Sequence, residues 1–139
     1  MTKKSVDSSN LSVPGPQSFD SDSAPSPKNG KVICFKSDRM GSGPQELGAM
    51  LIKAFINSIN EIIPLPEYLV FYNTGIMLTV EGSPVVESLL ALQNKGVKIL
   101  ICGTCANYFD KKEHLAIGEI SNLLAIHETL SNASRVIYP

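Results

Sequence analysis

The chain lacks any run of lysine or arginine and any basic helix interleaved with aromatics, and 12 Lys+Arg against 13 Asp+Glu leave a formal net charge of −1. That balance removes the electrostatic footprint on which nucleic-acid binding depends, so no nucleic-acid partner is expected. No apolar run approaches the ~20 residues a membrane-spanning helix needs. The polar N-terminus has no apolar signal-peptide core, so the expected location is the cytoplasm and no membrane partner is expected. With only 3 cysteines there is no disulfide framework. In a reducing compartment such thiols read as packing groups, metal ligands or working nucleophiles.

Two further absences narrow the chemistry. A zinc site needs four ligands, and beyond Cys102 and Cys105 only Cys34, His114 and His127 remain, in no matching pair spacing. No metal and no cofactor are therefore expected. The dinucleotide glycine spacing is also incomplete: after Gly41 and Gly43 the third glycine would fall at Glu46, and no Walker-type lysine follows.

What is present is one domain with a core: 139 residues, 43% of them hydrophobic. Residues 1–30, rich in proline, serine and glycine and poor in large apolar side chains, read as a disordered tail or linker, with Phe19 its single phenylalanine. The domain is expected over 31–139. Lys31–Lys36, Tyr68–Tyr72 and Val97–Ile101 are short apolar runs suited to buried strands, and Arg135–Tyr138 to a last strand. Ile76–Val80 fits either a short strand or an ordered loop, and Leu115–Ile117 is a brief apolar piece.

Helices are expected after Pro44, after Ser83-Pro84 and over 122–130, with a helical turn near Cys105–Asp110. For the first helix the apolar face is read as Leu47, Met50, Leu51, Ala54, Phe55, Ile59 and Ile62. For the second it is Val85, Val86, Leu89, Leu90 and Leu92. Alternating strands and helices imply right-handed βαβ units. The expected fold is α/β, a three-layer α/β/α sandwich around a mostly parallel sheet of about five strands.

In such sheets ligands bind beyond the carboxyl ends of the strands. That edge gathers Asp38–Gly43, Asn73–Gly75, Cys102–Cys105 and the segment Gly118–Asn122, read as a loop. Cys102-Gly-Thr-Cys105 carries the chemistry. A cysteine at a strand end, before a small residue and a helix start, is expected to be exposed and to lie near N–H groups that favour the reactive thiolate. The second sulfur can resolve a covalent intermediate as a disulfide. Two buried thiols without chemistry are the alternative. Cys34, between Ile33 and Phe35, reads as a packed core thiol. His127 reads as half-buried, and His114 as a solvated residue and candidate proton carrier. Gly41 and Gly43 are candidates to cradle an anion. Asp38 either tunes the thiolates or holds its loop.

The series Ser37-Asp38, Gly41-Ser-Gly43, Glu46-Leu-Gly48, Phe71-Tyr-Asn73-Thr-Gly75, Leu78–Ser83, Cys102-Gly-Thr-Cys105 and Gly118–Asn122 resembles the DsrE-like domain of the YedF family of sulfurtransferase-like selenium-metabolism proteins. The resemblance spans 31–139. It implies a DsrE-type α/β/α fold, a homo-oligomer, and sulfur or selenium carried as a cysteine persulfide with Cys102 as the working residue and Cys105 as the second thiol. Sulfur donor and acceptor proteins are the expected partners, a separate TusA-like carrier among them. YedF-like proteins carry an N-terminal TusA-like domain with a Cys-Pro motif, and residues 1–30 hold no cysteine.

The expected function is thus a sulfur relay in which Gly103 and Thr104 stabilise the anionic sulfur while Asn73 and Asn122 orient it, with Asp38, Gly41, Gly43 and Gly75 completing the binding edge. A non-enzymatic binding or regulatory module and a thiol–disulfide oxidoreductase are the rivals.

Overall fold

Five consecutive buried residues, Lys31–Phe35, form strand β1, and an unbroken buried run marks a strand covered on both faces. Strands β2 (Tyr68–Phe71) and β3 (Lys98–Cys102) have nearly the same pattern. The computed structural model describes residues 29–139, so the expected tail lies outside the described residues up to position 28. Asn29 and Gly30, assigned to that tail by composition, belong to the domain. Asn29 donates from Nδ2 to the Leu65 carbonyl at 2.7 Å and accepts from the Lys31 N–H at 2.8 Å. The Gly30 carbonyl accepts from the Ser134 N–H at 2.9 Å.

The sheet has five strands, all parallel, in the order β4-β3-β2-β1-β5, with β4 at Glu119–Ser121 and β5 at Arg135–Ile137. Helices α1 (Gln45–Ile59), α2 (Val86–Asn94), α3 (Gly103–Tyr108) and α4 (Leu123–Ser131) connect them. The chain steps outward from β1 to β4 and then returns past β1 to β5, so strand order reverses at β1. The α/β/α fold read from the sequence is the observed one, and the sheet is wholly parallel.

Four local readings are corrected. Gly118–Asn122 is not simply a loop, because Glu119–Ser121 pairs with β3 from Leu100↔Glu119 to Cys102↔Ser121. A three-residue edge strand with exposed Glu119 and Ile120 has too little apolar pattern to announce itself. Ile76–Val80 is neither strand nor loop for most of its length, since a 3-10 helix runs over Asn73–Thr79.

The face of α1 is also rotated: Gly48, Ile52, Ile56 and Ile59 are buried, whereas Leu47, Met50 and Leu51 are 47%, 64% and 42% exposed. Both stripes have helical spacing, and periodicity alone does not choose between them. Gly48 decides it: a Cβ there would come within 2.9 Å of the Arg39 side chain, so only the bare backbone fits under the loop after β1. In α2, Leu89 and Leu92 are buried as expected, but Leu90 is 41% exposed.

Side chains alternate across a strand, so the sheet separates two cores. On one face Ile33, Phe35, Leu69, Phe71, Ile99 and Ile101 meet the inner sides of α1 and α2. Phe35 and Phe71 stack there at 4.7 Å. On the other, Val32, Cys34, Val70 and Cys102 are covered by Ile126 and Leu130 of α4. All three cysteines touch this smaller core.

Candidate functional site

Cys102 is the last residue of β3, and Gly103 opens α3 directly behind it. A Cβ on Gly103 would lie 3.1 Å from both Ile120 Cγ2 and the Ser121 carbonyl, so the bare residue lets the chain turn hard against β4. Alternation then sends the Cys102 side chain to the α4 side, in register with Ser121. It is 2% exposed. The expectation of an exposed thiol at this position is therefore overturned, because β4 and α4 close over the strand end.

One turn on, Cys105 is half-buried and reaches both cores. Its sulfur accepts a hydrogen bond from the backbone N–H of Asn73 at 3.0 Å. Asn73 holds this position in the left-handed region at φ 53°, where asparagine is favoured. Its own side chain accepts from the Thr74 N–H at 2.8 Å. Asn73 thus contacts the site through its backbone, not through its amide.

The N–H donor favours the Cys105 thiolate, but burial outweighs it, and the neighbouring Cys102 thiol adds to the upward push. The Cys105 pKa is therefore raised. Cys105 packs against the smaller core that holds Cys102. Cys34 is fully buried, and burial pushes its thiol up to about 11, against smaller downward effects of the Tyr72 hydroxyl and Lys36. Its reading as a packed core thiol stands.

The remaining candidates divide. Asn122 caps α4, its Oδ1 accepting from the Ala125 N–H at 2.8 Å. That oxygen is committed to the helix end and not free to orient sulfur. On Gly75 a Cβ would run into the Phe35 carbonyl oxygen, so this glycine lets the 3-10 helix cross the end of β1. Gly41 (φ 84°) and Gly43 have open space around them, and both are exposed, so their loop forms no closed cradle. Asp38 lies 3.4 Å from Arg39 Nε, and its buried Oδ1 has no hydrogen-bond partner among the described residues. Within this loop it is Ser37 that bonds the backbone, its Oγ accepting from the Arg39 N–H at 3.0 Å. Thr104 is exposed on α3.

His114 lies 3.9 Å from Glu81, and His127 is exposed rather than half-buried. Among the described residues no three His, Cys, Asp or Glu side chains gather as metal ligands.

Sequence reasoning missed two neighbours. Tyr72 follows β2 and, one step beyond the pairing of Phe71 with Ile101, comes beside Cys102. Ser121 stands next to Cys102 on β4. Both depend on strand register, for which a single sequence carries no local signal. Tyr72 also lines a groove of about 420 Å³ with Leu123, Leu124, Ile126, His127 and Leu130.

Residues 34–139 match the DsrE/DsrF-like family. The chain belongs to that family. Three solved structures share the DsrE/DsrF-like fold with it. The ychN protein from E. coli has a TM-score of 0.61 at 15% identity, covering 78% of this chain and 98% of its own. A protein of unknown function from Methanobacterium thermoautotrophicum, MTH1491, gives 0.57 at 17%, over 78% and 97% of the two chains. A conserved protein of unknown function from Bacteroides thetaiotaomicron, BT1422, gives 0.54 at 14%, over 79% and 95%. At these identities the likeness speaks for the fold alone. Comparison with curated proteins found no match. No helix among the described residues is long and apolar enough to cross a membrane.

Proposed function

We propose that this DsrE/DsrF-like chain relays sulfur as a persulfide on the Cys102–Cys105 pair, with Cys105 as the thiol that meets the donor. The observation that carries the reading is the half-buried Cys105 sulfur, held by the Asn73 N–H at 3.0 Å and packed against the core cluster that contains the buried Cys102. The Cys105 thiolate attacks the terminal sulfur of a donor persulfide. The donor S–S bond breaks, its pair of electrons leaves with the donor thiolate, and Cys105 keeps one added sulfur. An acceptor thiolate removes that sulfur by the same exchange.

The Asn73 N–H supplies a fixed donor to the anionic sulfur at each stage. Because the Cys105 pKa is raised, sulfur acceptance increases with pH through and above the ordinary thiol range. The narrower likeness to YedF supports selenium as an alternative cargo and a TusA-like carrier as partner. The packing of Cys105 against the cluster that holds Cys102 favours a second reading, a thiol–disulfide oxidoreductase cycling through a Cys102–Cys105 disulfide.

Intact-mass spectrometry after incubation with a cysteine desulfurase and cysteine, or with polysulfide, tests the proposal. Wild type gains a reducible adduct of one sulfur (about 32 Da), and Cys105→Ser loses it. No adduct from either source, or full loading of Cys105→Ser, overturns the reading. A disulfide formed without sulfur uptake favours the oxidoreductase.

A further inference from the structure

Helix α4 does not close the whole of its side of the sheet. Ile126 and Leu130 join the core built on Val32, Cys34, Val70 and Cys102. Beside them, between the other flank of the helix and the starts of β3 and β4, lies a cavity of about 470 Å³. That volume is within the roughly 300–1,000 Å³ range of small-ligand pockets. Its floor is Leu100, buried at 7% exposure yet part of neither core. Tyr68 and Lys98, paired in register, precede Leu100 on this face, and Glu119 stands beside it on the edge strand. Glu128 lines the cavity from α4. Among the described residues Lys98 makes no ion pair with Glu67, Glu119 or Glu128, the carboxylates that share the cavity with it. Charges of both signs are therefore left for a ligand, around an aliphatic floor.

We propose that this cavity binds a basic α-amino acid, between Lys98 on β3 and the carboxylates Glu119 and Glu128. The class follows from the lining. A single lysine calls for a ligand with one carboxylate, and the surplus of glutamates calls for more than one cationic group. The methylene stem that joins them in arginine or lysine has Leu100 and Ala125 to lie on. The Tyr68 ring offers a further contact to a cationic end. A neutral amino acid leaves a carboxylate of the site unmatched, and an acidic one adds negative charge to a negative surplus. No thiol lines this cavity, so its occupancy does not depend on the sulfur reading.

Titration of the full chain with L-arginine and with L-lysine, followed by backbone amide chemical shifts, tests this. Saturable shifts are expected at Glu119–Ser121 and along the α4 segment from Ala125 to Asn132, with none there for L-glutamate. Lys98→Gln weakens arginine about tenfold and leaves agmatine, which lacks the carboxylate, unchanged. Glu128→Gln weakens both by a similar factor. Lys98 and Glu128 are exposed, so both variants keep the fold. Neither arginine nor lysine shifting these amides, or glutamate shifting them as strongly, overturns the proposal. So does Lys98→Gln weakening agmatine as much as arginine, or Glu128→Gln without effect.

Discussion

The two faces of the sheet are built to different specifications. The α1–α2 face is closed by two helices over interlocking aliphatic side chains, with Phe35 stacked on Phe71. The α4 face has one nine-residue helix above Val32, Cys34, Val70 and Cys102, flanked by an open groove at Tyr72. Thiols collect on the thinly covered side, where a sulfur can be buried against water yet remain one helical turn from it. The thick face secures the fold, and the thin face holds the thiols.

The largest break of this comparison comes from Phe71→Ala, which empties the centre of the thick face and costs about 3–5 kcal/mol. Ile126→Ala, under the single cover of the other face, costs about 2 kcal/mol because an open site collapses more easily. Urea denaturation of both separates them, and equal losses would erase the distinction.

A comparable change comes from pH. Cys34 sits at about 11 in the fold against an ordinary 9.0. A raised folded pKa means that its contribution is fully present below the unfolded value and is lost as pH rises through the folded one. Stability therefore falls by roughly 3 kcal/mol between pH 9 and pH 11 on this account. Cys105 adds loss of the same sign. Urea midpoints across that range check it, and Cys34→Ala flattens the slope. A slope unchanged by that substitution would place the titrating group elsewhere.

The smallest effect belongs to Asn122→Ala, which removes the α4 cap for about 1 kcal/mol and leaves sulfur loading intact. Lost loading at full helix stability would return Asn122 to the chemistry.

Much of this arrangement was legible in the sequence, for reasons that can be named. β1, β2 and β3 are continuous apolar runs between turn signals, and the loops beyond them hold the polar and glycine-rich residues. Cys102-Gly-Thr-Cys105 was found where expected, at the end of β3. Illegible were the features set by distant chain. β4 borrows its order from pairing with β3. Gly48 chooses the face of α1 through a loop that precedes the helix. The burial of Cys102 follows from β4 and α4, both later in the chain, and the Asn73 donor to Cys105 comes from 32 residues earlier. Local spacing identified the two sulfurs but not which of them water can reach.

The central claim is that Cys105 is the thiol through which this site meets its partners. It is tested most directly by brief, limiting alkylation of the native protein, read residue by residue from fragment masses. The account predicts Cys105 modified first, faster as pH rises, with Cys102 and Cys34 protected until the fold opens. Cys102 modified as fast as Cys105 would contradict it.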